Sequence, residues 1–153
     1  MKSLAMLGML GLCSFILFGC AGLSKEQDLL CPYDAVWQAA LDTMRDRPLT
    51  EKDKYSGIIE TGWTEMAAAE RRFGIFQRAA FDNKERARMS LELTRTKEGT
   101  TVNVTEIRER WHLKGGVTSQ ATRWWPVEPS EEAMSAVLNR INSKLKEQGC
   151  TVS

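Results

Sequence analysis

The feature that most constrains this chain is an uncharged run from Leu4 to Phe18 that closes on Leu17-Phe18-Gly19-Cys20. Lys2 gives it a short positive lead. Such a run has the size of a secretory h-region, roughly 7–15 residues, and falls short of the ~20 apolar residues that span a bilayer. A lipoprotein signal peptidase cuts before a Cys that follows a small residue and has an aliphatic residue three positions earlier. Gly19 and Leu17 meet that demand, with Phe18 bulkier than usual at its position. Cys13 follows bulky Leu12 and does not qualify. The expectation is a signal peptide over 1–19, with Cys20 carrying a diacylglyceryl thioether and an acylated amine. Several acyl chains, at about 0.8 kcal/mol per buried CH₂, give stable anchoring. Ala21, rather than Asp, follows the Cys. In a Gram-negative cell that points to the periplasmic face of the outer membrane.

Cleavage would remove 19 of 153 residues and leave 134 (153 − 19), enough for one domain with a core. It takes Lys2 from 21 Lys+Arg, so 20 bases face 20 Asp+Glu and the remainder is formally neutral. Neutrality argues against nucleic acid as a partner and against a polybasic membrane mode. The domain is expected over 31–153, behind a polar-leaning tether at 20–30.

Two cysteines remain once Cys13 leaves and Cys20 is acylated: Cys31 and Cys150. In an oxidising compartment an even pair suggests a disulfide; the alternative is two separated free thiols.

Pro32 suits the first turn of a helix, and Val36, Trp37, Ala40, Leu41 and Met44 recur at helical spacing before Pro48. Leu49–Tyr55 reads as a short polar edge strand, and Ile58, Ile59, Thr61 and Trp63 as a second strand. Met66–Arg72 is ambiguous, and Phe73, Ile75 and Phe81 suggest a further strand. Arg88 to Thr94 alternates polar and apolar with period two. After the turn at Lys97-Glu98-Gly99-Thr100, Val102 and Val104 continue the alternation, but Ile107 and Trp111 fall on the opposite parity. A β-bulge near Thr105-Glu106 would restore the phase. Arg86–Thr96 and Thr101–Leu113 are therefore expected to form a long antiparallel hairpin. Lys114–Thr122 reads as a loop, and Trp124-Trp125-Pro126 leads to the last helix. That helix opens at Ser130 as N-cap, carries Met134, Val137, Leu138, Ile141 and Leu145 on one stripe, and stops at Gly149. Neither helix can bury its stripe alone. The fold class is α+β: a two-layer sandwich, with two helices on one face of an antiparallel sheet, in the order α-β-β-β-β-α.

The stretches Trp37-Gln38-Ala39-Ala40-Leu41, Pro48-Leu49 and Ser56-Gly57-Ile58-Ile59-Glu60-Thr61-Gly62-Trp63 resemble a family of uncharacterised proteobacterial lipoproteins. More distantly, the pattern is similar to the helix-grip domains of the BamC (NlpB) lipoproteins over about residues 33–113. That resemblance implies a helix-grip-like fold and a place in outer-membrane assembly. The motif residues are core and turn positions, so they report fold rather than chemistry.

Chemistry is thin. His112 is the one histidine, and no serine or cysteine stands in nucleophile or metal-ligand surroundings. No catalytic residue, metal or cofactor is expected. Arg86, Arg88, Arg108 and Arg110 are placed on the outward face of the hairpin, where the bulge would bring Arg88 opposite Arg110. They read either as an anion site or as a solvated face balanced by Glu85, Glu92, Glu106 and Glu109. Trp124 and Trp125 should face opposite ways, one of them free to anchor a partner or both packed on the sheet rim.

Two functional readings follow. One is a non-catalytic, membrane-anchored periplasmic lipoprotein that binds an envelope protein. The other is a small-ligand or lipid-binding module of helix-grip type. The core discriminates: a grip filled by Trp37, Met44, Leu91, Ile107 and Ile141 leaves no room for a ligand.

Overall fold

The apolar stripes become two helices. In a computed structural model the described residues are 23–68, 72–73, 78–79, 84–112 and 123–150. The segment 1–19, Cys20, Ile75, Phe81 and the expected loop at 114–122 lie outside them. Helix α1 spans Tyr33–Thr43 behind Pro32, and helix α2 spans Glu131–Glu147. The Ser130 hydroxyl accepts from the Ala133 N–H at 3.1 Å and caps α2. At the other end Gly149 takes φ +77°. Its N–H donates to Lys146, and the Cys150 N–H reaches back to the Leu145 carbonyl at 2.9 Å. This pair of bonds is a Schellman closure. It turns Cys150 back toward the start of α1, where a disulfide joins it to Cys31 with Cα atoms 5.9 Å apart. Arg140 meets Asp46, just beyond the far end of α1. The two helices therefore run in opposite directions.

The strands are β1 (Ser24–Leu29), β2 (Leu49–Asp53), β3 (Ile58–Thr61), β4 (Thr64–Ala67), β5 (Arg72–Phe73), β6 (Arg78–Ala79), β7 (Lys84–Arg95), β8 (Thr100–His112) and β9 (Arg123–Val127). Among the described residues, strands β5 and β6 pair with each other as a separate two-stranded sheet. The other seven form one antiparallel sheet in the order β1-β8-β7-β3-β2. Strand β4 adds to β7 beyond β3, and β9 adds to β8 beyond β1. The fold is thus α+β, with both helices on one sheet face. Val36, Trp37, Ala40 and Met44 of the α1 region and Met134, Val137, Leu138, Ile141 and Leu145 of α2 share one buried cluster with Met89, Leu91, Leu93, Val102 and Val104. Each side chain of this size contributes roughly 1.5–3 kcal/mol when fully buried.

Three expectations are corrected. The tether at 20–30 is mostly sheet: Ser24–Leu29 pairs along Ser24↔Thr105 to Leu29↔Thr100. Trp124-Trp125-Pro126 is strand, paired with β8 from Arg108↔Val127 to His112↔Arg123. The bulge in β8 is absent, and β7 and β8 pair without a slip from Glu85↔Arg110 to Arg95↔Thr100. The parity change in β8 is instead an exchange of faces. Val102 and Val104 face the helices, and beyond them the same face carries Glu106, Arg108 and Arg110. Ile107 and Trp111 stay on the open face, so Ile107 is 43% exposed and takes no part in filling the core.

The irregularity lies one strand away. Strand β3 pairs with β7 through Glu60↔Ser90, and β4 resumes at Thr64↔Ala87, one residue out of step. The extra residue falls at Gly62-Trp63. It carries Trp63 from the helix-covered face to the open one.

Candidate functional site

Past the end of the helical layer, the sheet presents two polar clusters, one on each face. On the helix side, Glu85 and Glu106 are buried at 6% and 2% exposure. The Glu85 carboxylate accepts from Arg110 and, at 3.0 Å, from Arg108. Arg108 bonds Glu106 at 2.9 Å with its other terminal nitrogen. Glu106 also accepts the backbone N–H of Ser130. The network thereby clamps the start of α2 to the sheet. Burial pushes the Glu85 carboxyl up, but the hydrogen bonds from Arg110 and Arg108 outweigh it and hold the group below its ordinary range. Burial also opposes the charge on Arg108, and its bonds to Glu106 and Glu85 raise its basicity over that cost. Met66, Val127 and Glu128 border this network in an open cleft of about 340 Å³.

On the open face, Arg86 lies between two indoles, 4.3 Å from the Trp63 ring and 4.5 Å from the Trp124 ring. Its Nε donates to Glu109 at 2.7 Å. Trp124 packs against Trp111 with ring centres 5.2 Å apart. Arg88 stands 5.3 Å over Trp63 and is exposed, and among the described residues no carboxylate is bonded to it. Ile107 lies directly opposite Arg88 across the ladder. A cleft of about 240 Å³ opens between Glu65, Lys84, Trp111 and Trp124. Aromatic rings, an arginine held between them and an exposed guanidinium beside an exposed isoleucine make a surface suited to binding an amphipathic or anionic partner.

The structure separates residues that the sequence placed together. Arg88 and Arg110 do not oppose each other: Arg88 faces Ile107 on the open side, and Arg110 faces Glu85 on the helix side. Without a bulge in β8, Arg108 and Arg110 fall one pleat away from Arg86 and Arg88, so no four-arginine face forms. Trp124 and Trp125 do face opposite ways. Trp124 joins the open-face cluster, Trp125 lies across from Arg110, and both are half-buried. Trp63 and Trp111 were not singled out as site residues. The signal for Trp111 was present as its off-parity position in β8, which marks an apolar patch on the open face. His112 ends β8, and its side chain lies outside the described residues. Among the described residues, no group of three or more His, Cys, Asp or Glu is placed to hold a metal ion. None of their helices is long and apolar enough to cross a membrane.

A comparison with curated proteins finds no match. Residues 33–110, which run from the start of α1 to Arg110 in β8, match the family described as Domain of unknown function (DUF3576), and the chain belongs to that family.

Proposed function

We propose that this chain is a lipid-anchored, non-catalytic component of the cell envelope, which uses the open face of its sheet to bind a protein partner. The anchor rests on the Leu17-Phe18-Gly19-Cys20 signal, and Ala21 favours the periplasmic face of the outer membrane. The distant resemblance to BamC helix-grip domains supports a role in an assembly. The observation that carries the binding mode is the contrast between the two faces. One is sealed by helices, with Met44, Leu91 and Ile141 at 0% exposure. The other has no helical layer among the described residues and exposes Ile107 beside Arg88.

The filled interior also weighs against the ligand-grip alternative. Clefts of about 430 and 370 Å³ lie at the rim, one lined by Asp42, Asp46 and Arg140 and the other by Leu30 with Thr96–Gly99. The test is crosslinking and affinity capture of the full-length protein from membranes, in parallel with Ile107→Glu. A stoichiometric protein captured by the parent and lost in the variant is the expected result. Capture that ignores the substitution, or no stoichiometric protein at all, overturns the reading.

A further inference from the structure

We infer that the partner of the open face is a protein with a basic surface, whose Lys and Arg side chains lie over rows of carboxylates that cross the sheet from β1 to β2. This names the chemistry of what the open face binds, and so rests on the proposed function.

The pleat sorts the charges, because successive side chains of a strand point to opposite faces. In β1, Glu26 stands across from Asn103 and Asp28 from Thr101, on the open face. Lys25 stands across from buried Val104 and donates to the Ser135 hydroxyl of α2 at 2.7 Å. In β2, Glu51 lies across from Glu60 on the open face, and Lys52 across from buried Ile59 on the other. In β7, Glu92 points to the open face between buried Leu91 and Leu93. Arg95 points to the helix side, 3.6 Å from the Tyr33 ring. Glu26, Asp28, Glu51 and Glu92 are exposed, and Glu60 is half-buried. Among the described residues none of the five is in an ion pair. The acidity belongs to this face alone, because the whole chain sets 21 Lys+Arg against 20 Asp+Glu.

Two arrangements in these rows lack a cation. Glu51 and Glu60 are direct cross-strand neighbours, and like charges so placed destabilise a sheet. In the next row, Asn103 sits between Glu92 on one side and Glu26 on the other. Its Oδ1 is buried, with no hydrogen-bond partner among the described residues. A sheet that holds a like-charge pair at a cost to its own stability is arranged for a partner that brings the counter-charge. Lysine and arginine both fit. A guanidinium forks across two carboxylates, and an ammonium sits between them as a point charge. Arg88 and Ile107 lie ~13 Å along the strands from Glu92 and Asn103, well within the width of one protein interface. The partner therefore meets Ile107 with one part of its surface and the carboxylates with a basic part beside it.

The experiment uses the full-length protein in cells, with a photo-crosslinker either at position 107 or at position 94, which is exposed on the open face beside Glu92. The captured protein is digested and the joined peptide sequenced. One protein is expected at both positions, and the peptide joined at 94 should carry an excess of Lys and Arg. That peptide, synthesised, is then titrated against the full-length protein. Glu26→Gln/Glu60→Gln/Glu92→Gln should weaken its binding roughly tenfold and flatten its salt dependence. The same variant, free of partner, should unfold at an unchanged or higher midpoint, since repulsion has been removed. Capture at 107 without capture at 94, a joined peptide with no basic excess, or a titration that ignores the triple variant overturns the basic partner and leaves the binding face standing. A lower midpoint in the variant assigns the carboxylates to the fold and also overturns it. Calcium bound by the parent and lost in the variant, with no protein at 94, assigns the rows to a metal ion instead. No protein at either position overturns both readings.

Discussion

The Thr61 hydroxyl accepts the backbone N–H of Met89 at 2.9 Å, a bond made by a side chain where the sheet ladder skips. Thr61 is buried, and it sits where β3 gives way to β4 one residue out of register. Its side chain thus satisfies the backbone donor that the irregularity exposes. The same irregularity turns Trp63 onto the open face, where it meets Arg86.

Thr61→Val keeps the shape and removes the acceptor, leaving the Met89 N–H buried without its partner. A loss of about 1–3 kcal/mol is expected, the cost of an unsatisfied buried donor. Urea unfolding measures it as a lower midpoint at unchanged slope. A variant as stable as the parent would show that water or backbone rearrangement replaces the hydroxyl.

The Glu85 network predicts a defined acid response. The carboxyl is depressed in the folded chain, so its stabilisation is complete above the ordinary carboxylate value of about 4.3 and is lost as pH falls through the lower folded value. Stability should therefore fall with acidification below about pH 4.3, and Glu85→Gln should flatten that part of the profile. At neutral pH, Glu85→Ala removes this carboxylate from half-buried Arg108 and Arg110, and a loss of about 1–3 kcal/mol is expected, since Arg108 keeps its bond to Glu106. Thermal unfolding across the acid range checks both statements. A parent profile that coincides with the Glu85→Gln profile contradicts the assignment.

The disulfide joins positions 119 residues apart, so it restrains nearly the whole domain in the unfolded state. Chain entropy places its contribution at about 4–5 kcal/mol. Cys31→Ala/Cys150→Ala should lose most of that in denaturant unfolding, and a reductant should have the same effect on the parent. Thiol titration of the unfolded, unreduced chain should find neither residue free.

Much of the layout was legible along the chain because it depends on local periodicity. The stripes from Val36 to Met44 and from Met134 to Leu145, the Ser130 cap, the Gly149 stop and the alternation from Met89 to Leu93 all rest on spacing within one element. The even pair of Cys31 and Cys150 suggested a bridge against two free thiols, and the antiparallel helices bring them together. Ser24–Leu29 was not legible. Its residues are mostly polar, and it becomes a strand because β8 has a free edge to receive it. The same holds for Trp124-Trp125-Pro126, whose proline sits in a terminal strand segment paired to one side.

The tryptophan–arginine cluster marks the division most clearly. Residue order settles which side chains alternate and therefore which could share a face within each strand. It could not determine where a register slips, because a slip is set by what pairs across the ladder. The off-parity Ile107 and Trp111 looked like evidence for an extra residue in β8, yet β8 is regular and the slip sits at Gly62-Trp63. That the helices cover part of the sheet is a matter of packing between distant segments. Beyond them the sealed face carries a charged clamp, and the open face takes the aromatic rings. A strand's two faces are fixed by its pleat, but which is buried depends on how far its neighbours reach.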